Sequence, residues 1–190
     1  LSALINYPAE QRAPAIALLD DPIRSVRAQA ARTVAPLSSR FDEAQQAAFD
    51  RAKQEFFKKQ EAIFDRAAGH LNLALFYTDL GQLDKAEAAY RAASRVEPEF
   101  VPARINLAEL LYSQNRPKEA EEKFREAIDN ALLPENKGVA RDALARFLIR
   151  LKRYDEGIEE LRLATELIPN HAQTHYFYGV APNSPGKFEE

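Results

Sequence analysis

Two histidines four residues apart, His171 and His175, are the best-spaced metal-ligand types in this chain. On one helix such a pair can grip a divalent cation. A third histidine, His70, lies far away in the sequence, His171 follows the loop signal Pro169-Asn170, and no third ligand accompanies the pair. A metal site is therefore not expected. Paired carboxylates, Glu121-Glu122 and Glu159-Glu160, have the residue types for acid–base work. That chemistry needs a pocket and opposed environments, whereas these pairs read as solvated helix faces. Cysteine is absent, which excludes thiolate ligands, cysteine nucleophiles and covalent haem attachment within this stretch. There is no Gly-rich phosphate loop, nucleophile elbow or zinc signature. The expectation is a non-enzyme without a cofactor.

The elements that must position these side chains form a repeat. Asn72-Leu73-Ala74, Ala86, Tyr90 and Ala93 return 34 residues later as Asn106-Leu107-Ala108, Ala120, Phe124 and Ala127. They return again, 37 residues on, as Ala143-Leu144-Ala145, Gly157, Leu161 and Ala164. A fixed period of this size means one supersecondary unit copied and stacked into a solenoid.

In the first copy, residues 67–100, a helix is expected from Ala68 to Leu80, with His70, Leu73, Ala74 and Tyr77 on one face. Gly81 ends it, Asp84 caps the next helix, and Pro98 closes the unit. The order bulky–Leu–Ala–Tyr, then Gly, Ala, Tyr, Ala and Pro resembles the tetratricopeptide repeat, a helix–turn–helix unit of 34 residues. The second copy, 101–134, places Leu111 at the aromatic position and Asn115 at the turn, where Asn tolerates positive φ. Pro117 opens its second helix and Pro134 closes it late, after a three-residue extension within 131–137. The third copy, 138–171, carries Gly157 at the small-residue position and Lys152 at the turn. A partial fourth covers 172–190, with a turn signature at Gly186-Lys187-Phe188-Glu189-Glu190 that makes the chain look cut inside a repeat. Pro182 and Pro185 should end its first helix near Val180. His70 and His175 share the bulky fourth position of their copies, a packing site.

Residues 1–66 lack this pattern. Ala13–Leu19 reads as a short apolar helix; Asp21 caps and Pro22 opens the next, with Ile23, Val26, Ala30, Val34 and Leu37 as its buried stripe. The stretch LLDDPIRSVRAQAARTVAPL resembles a HEAT-type unit, so residues 1–40 are expected as a HEAT-like helical pair. Arg24, Arg27 and Arg32 crowd this helix; the resemblance implies an arginine paired with a neighbouring aspartate, although they could also steer an acidic partner. A long linking or capping helix is expected within 41–66, spanning 42–65 with Phe49, Ala52, Phe56 and Ile63 inward. The tetratricopeptide domain then covers 67–190. The fold class is all-α, a right-handed α-solenoid of antiparallel helix pairs.

The net charge of −3 disfavours nucleic acid as the main partner, and no apolar run is long enough to span a membrane. The tetratricopeptide resemblance implies a concave groove lined by the first helix of each copy. Carried over position by position, it nominates Leu71, Asn72, Leu75 and Asp79 from the first copy. The second contributes Ile105, Asn106, Glu109, Tyr112 and Ser113. The third contributes Asp142, Arg146, Ile149 and Arg150, and the fourth Tyr176 and Phe177. Asn72 and Asn106 recur one repeat apart as amides suited to a peptide backbone. Chaperone-adaptor members of the family clamp a terminal carboxylate with set Lys, Arg and Asn residues. Here Asn106 fits one such position, but Leu71, Leu75, Val139 and Ala143 occupy the other four, so that clamp is absent. The implied function is a non-catalytic scaffold binding a mixed-charge peptide or protein segment. A homo-oligomer through the groove or stack end is a further expectation. The order HEAT-like unit, long helix, repeats is also similar to the C-terminal region of bacterial multihaem c-type cytochromes. That resemblance implies a periplasmic docking region downstream of a haem domain, to be sought in the sequence before Leu1.

Overall fold

The computed structural model describes residues 7–180. The expected fourth-copy turn at Gly186 and the prolines Pro182 and Pro185 lie outside them. The described chain is all-helical, an α-solenoid of helix pairs, and separates into two compact units, 1–93 and 94–190.

The first unit begins with a 3₁₀ segment, Ala9–Asp20, which buries Ala15 and Leu19. Its internal Pro14 has no N–H to donate, so a regular α-helix cannot pass through it unbroken. Helix α1 spans Arg24–Val34. Contrary to expectation, Pro22 does not open it. Asp21 Oδ1 accepts the Ile23 N–H at 2.8 Å and holds Ile23 extended, so helical geometry starts one residue later. Ile23 consequently leaves the buried stripe and is 58% exposed, while Ala30, Val34 and Leu37 are buried. Pro36 stops α1, and a short 3₁₀ turn, Ala35–Arg40, leads on.

Helix α2, Glu43–Glu61, starts with a reciprocal capping box: Asp42 Oδ1 accepts from Gln45 N and Gln45 Oε1 from Asp42 N. It ends four residues before the expected 65, and Ile63 falls in the following turn. Helix α3, Ala67–Asp79, and α4, Leu83–Val96, form the first repeat pair. Between them Gly81 adopts φ 69°, the left-handed conformation that a turn requires here. Asp84 lies inside the first turn of α4 rather than at its cap, where the Gln82 carbonyl already accepts from Ala86 N.

The core of this unit is aromatic. Phe76 is fully buried and meets Phe56 at 4.8 Å and Phe57 at 5.5 Å between ring centroids, with Phe49 and Phe41 extending the cluster. The buried face of α3 therefore centres on Phe76, one residue from the expected Tyr77, which is only half-buried. The expected division after residue 66 runs through this unit, because the α2 phenylalanines and Phe76 share one core.

The second unit contains α5 (Val101–Ser113), α6 (Pro117–Asn130), α7 (Pro134–Arg150), α8 (Tyr154–Leu167) and α9 (Ala172–Val180). Ala108, Ala120, Ala127, Ala145 and Ala164 are inaccessible, as close helix approach demands. Asn115 and Lys152 take φ 60° and 61° at the two turns equivalent to Gly81. Pro134 does not close the second copy; it occupies the first turn of α7, where its missing N–H costs nothing. The three extra residues thus go largely into α7, which has 17 residues against 13 for α5, and only 131–133 remain as link.

The fourth repeat position makes a hydrogen bond that recurs. His70 Nε2 reaches Phe64 O at 3.0 Å, Arg104 Nη1 donates to Pro98 O, and His175 Nε2 reaches Pro169 O at 2.9 Å. Each side chain satisfies a carbonyl six residues upstream, in the turn before its helix, so the expected packing role includes a cap for that turn.

Candidate functional site

The expected groove residues divide between the units. In the first, Leu71 and Leu75 are half-buried on α3. Asn72 Nδ2 donates to Gln60 Oε1 at 2.9 Å, so its amide secures α3 to α2. Asp79 is drawn inward: burial pushes its carboxyl above the usual range, and the Arg12 and Arg32 guanidiniums partly offset that. Burial also lowers Arg32 and raises the buried Tyr90 hydroxyl.

In the second unit, α5, α7 and α9 enclose an open groove of about 470 Å³, within the usual size range of ligand clefts. Ile105, Ala143, Ile149 and Phe177 supply its apolar surface, and Glu109, Arg146 and Arg150 its charge. Arg150 Nη2 meets Glu109 Oε1 at 2.6 Å, and its guanidinium lies 4.8 Å from the Tyr112 ring centroid, a cation–π arrangement. Tyr112 in turn meets the buried Phe147 edge-on at 5.4 Å.

Beside the groove runs a polar chain with a buried centre. Arg146 pairs with Asp142 at 2.6 Å, Thr174 Oγ1 donates to Asp142 Oδ1 at 2.8 Å, and His171 Nδ1 lies 2.7 Å from Thr174 Oγ1. Because the Thr174 hydrogen is directed at Asp142, His171 Nδ1 must carry a proton and donate. Asp142 and Thr174 are almost fully buried, so this chain fastens α9 to α7 and holds Phe177 at the groove. His171 and His175 make separate hydrogen bonds, and among the described residues no three His, Cys, Asp or Glu side chains gather as a metal site.

Two nominated residues, Asn106 and Tyr176, do not line this cavity. Asn106 Nδ2 donates to Pro102 O on its own helix at 2.8 Å. Tyr176 is 66% exposed and touches the Phe177 ring at 5.9 Å between centroids, while Phe177 itself lines the cavity. The Asp142–Thr174 bond had only a weak sequence signal, a threonine three residues after His171 near an expected helix start.

Two tetratricopeptide repeat family models match residues 71–135 and 140–171. The chain belongs to the tetratricopeptide-repeat proteins. It is 32% identical over 111 residues to a human protein, Protein O-mannosyl-transferase TMTC3, covering 55% of this chain and 12% of that protein. It is 33% identical over 98 residues to ETO1-like protein 2 of Arabidopsis thaliana, covering 52% of this chain and 10% of that protein. The chain therefore spans about a tenth of the length of these curated relatives. Among solved structures, TTC0263, a thermophilic TPR protein of Thermus thermophilus, superposes with a TM-score of 0.55 at 18% identity, covering 90% of this chain and 98% of that one. BtubC from P. vanneervenii gives 0.55 at 16% identity, covering 97% and 87%. These two share the fold. No helix among the described residues is long and apolar enough to cross a membrane.

Proposed function

We propose that this chain is a non-catalytic protein-interaction scaffold whose second unit receives an extended segment of a partner protein in the α5–α7–α9 groove. The repeats support a scaffold; the observation that carries the site is the groove's apolar surface, Ile105, Ala143, Ile149 and Phe177, flanked by charges of both signs. An apolar side chain of the partner rests on Ile105 and Phe177. Its neighbouring acidic and basic groups exchange with the Glu109–Arg150 pair, which is part-exposed and therefore cheap to reopen. Leu71 and Leu75 remain contacts by repeat position in the first unit. Asn72 has its amide engaged by Gln60 and Asp79 is half-buried, so both are poorer candidates for ligand contact.

Peptides selected on the whole chain from a random display library provide the test. Combined Ile105→Ala and Phe177→Ala should weaken the selected peptide about tenfold, the usual scale for apolar anchors. Affinity unchanged in that variant would remove the groove assignment.

A further inference from the structure

Three exposed cations, Arg24, Lys58 and Lys59, gather on the first unit around one open cleft of about 530 Å³ between α1 and α2. Ile23, Ala28 and Ala62 give that cleft apolar surface. A second cleft of about 480 Å³ shares Arg24, Glu55 and Lys58 with it and extends to Arg51 and Gln54. Cations around these clefts otherwise have acidic partners. Arg27 holds Glu55 at 2.6 Å, Arg51 holds Asp20 at 2.8 Å, and Lys53 pairs with Asp50. Among the described residues Arg24, Lys58 and Lys59 form no ion pair. The Glu55 carboxylate, held below its usual pKa first by its bond to Arg27 and more weakly by the charges of Arg24 and Lys58, is one anion facing four cations and leaves the cluster net positive.

Local helix stability explains part of this arrangement and leaves the rest. Lys58 and Lys59 occupy the last turn of α2, where a cation favours the helix dipole. Arg24 is the first residue of α1, where a cation opposes it, and no acidic residue stands in that turn to compensate. Beside Arg24, Ile23 projects its apolar side chain into solvent.

We propose that this cleft docks an acidic peptide segment of a partner protein, with carboxylates along Arg24, Lys58 and Lys59 and an apolar side chain against Ile23. Charge complementarity selects the acidic partner in a chain that is otherwise net negative. The apolar surface favours a peptide over a nucleic acid, since no aromatic ring lines either cleft to stack a base. The surface lies wholly within the first unit and does not depend on the groove reading.

The test uses the full chain and fluorescence polarisation with a labelled peptide of core Glu-Glu-Leu-Glu-Glu. Controls are the same peptide with Gln for every Glu, a short DNA duplex, and vesicles containing phosphatidylserine. The wild-type chain should bind the acidic peptide, more weakly as salt rises. Arg24→Gln, Lys58→Gln and Lys59→Gln together should weaken it about tenfold, and Ile23→Ser about threefold. Ile105→Ala with Phe177→Ala should leave it unchanged, which separates this surface from the groove. All four residues are exposed, and a far-UV circular dichroism melt matching wild type verifies folding of each variant. No binding by the wild type, equal binding of the Gln peptide, full affinity in the triple variant, or preference for DNA or vesicles would each overturn the proposal.

Discussion

Asp79 and Arg150 occupy the same repeat position in α3 and α7, yet their surroundings are opposite. In the first unit Asp79 is covered, with Arg12 from the N-terminal 3₁₀ segment and Arg32 from α1 close by. In the second, Arg150 stays half-exposed at a groove, paired with Glu109 and stacked over Tyr112. The phenylalanines Phe76 and Phe147 share another repeat position and repeat the contrast. Phe76 is surrounded by α2 aromatics, whereas Phe147 meets Phe124 and Tyr112 of the preceding repeat pair. One helix–turn–helix pattern therefore yields a closed surface or an open one according to what packs against it. Residues at groove positions stay open only where no neighbouring segment covers them.

This contrast can be broken most severely at Phe76. Phe76→Ala removes the ring on which Phe49, Phe56 and Phe57 converge and should cost about 3–5 kcal/mol, measured by urea denaturation of the whole chain. If the core of the first unit did not centre there, the loss would resemble that of a surface change. A smaller effect is expected at Gly157, where a β-carbon would stand 2.8 Å from Ile149 Cγ1 and 3.1 Å from the Ala145 carbonyl oxygen. Gly157→Leu should lose about 1–3 kcal/mol through overpacking and, by displacing Ile149, should also weaken groove peptides. Normal stability and affinity in that variant would show that α7 and α8 can part freely.

The gentlest probe compares the two units by pH. Burial raises the Asp79 carboxyl above its ordinary 3.8. Its ionisation then opposes folding, a penalty absent below 3.8, growing as pH rises to the folded value, and complete above it. Glu121 is opposite: its bond to Arg153 holds it below its ordinary 4.5, with Arg125 assisting. Its contribution is present above 4.5 and disappears as pH falls through the folded value. Asp79→Asn should therefore be more stable than wild type at neutral pH and converge with it in acid. Arg153→Ala should be less stable at neutral pH and likewise converge in acid. Denaturation at a series of pH values would expose either sign as wrong.

The helix pairs were legible because their signals are local. Asn115 and Pro117 announced a turn and a helix start through φ preference and a dispensable N–H, and both hold. Pro134 misled because the same residue can follow one helix or open the next, and only the added length of α7 distinguishes the two. Asp21 and Pro22 misled similarly: the Asx turn onto Ile23 competes with an N-cap for the same side chain.

The candidate site was legible as a set of positions. Ile105, Glu109, Arg146 and Arg150 do line one groove. Asn72 and Asn106 do not serve as free polar groups, because a partner distant in sequence or on the helix's own backbone engages them, and Asp79 is half-buried. Of the two residues nominated on α9, Phe177 lines the groove and Tyr176 does not, since the Asp142–Thr174 bond anchors α9 and adjacent residues on a helix point about 100° apart.

By itself the sequence determined the helix pairs, their turns, the small residues where helices cross, and the family, since periodicity and φ preference act within one repeat. Tertiary structure alone decided which repeat positions stay open. It covered Asp79, left Arg150 at a groove, bound Arg27 to Glu55, and brought Arg24 to Lys58 and Lys59. Exposure and ion pairing depend on residues far apart in the chain, and no local period encodes which of them meet.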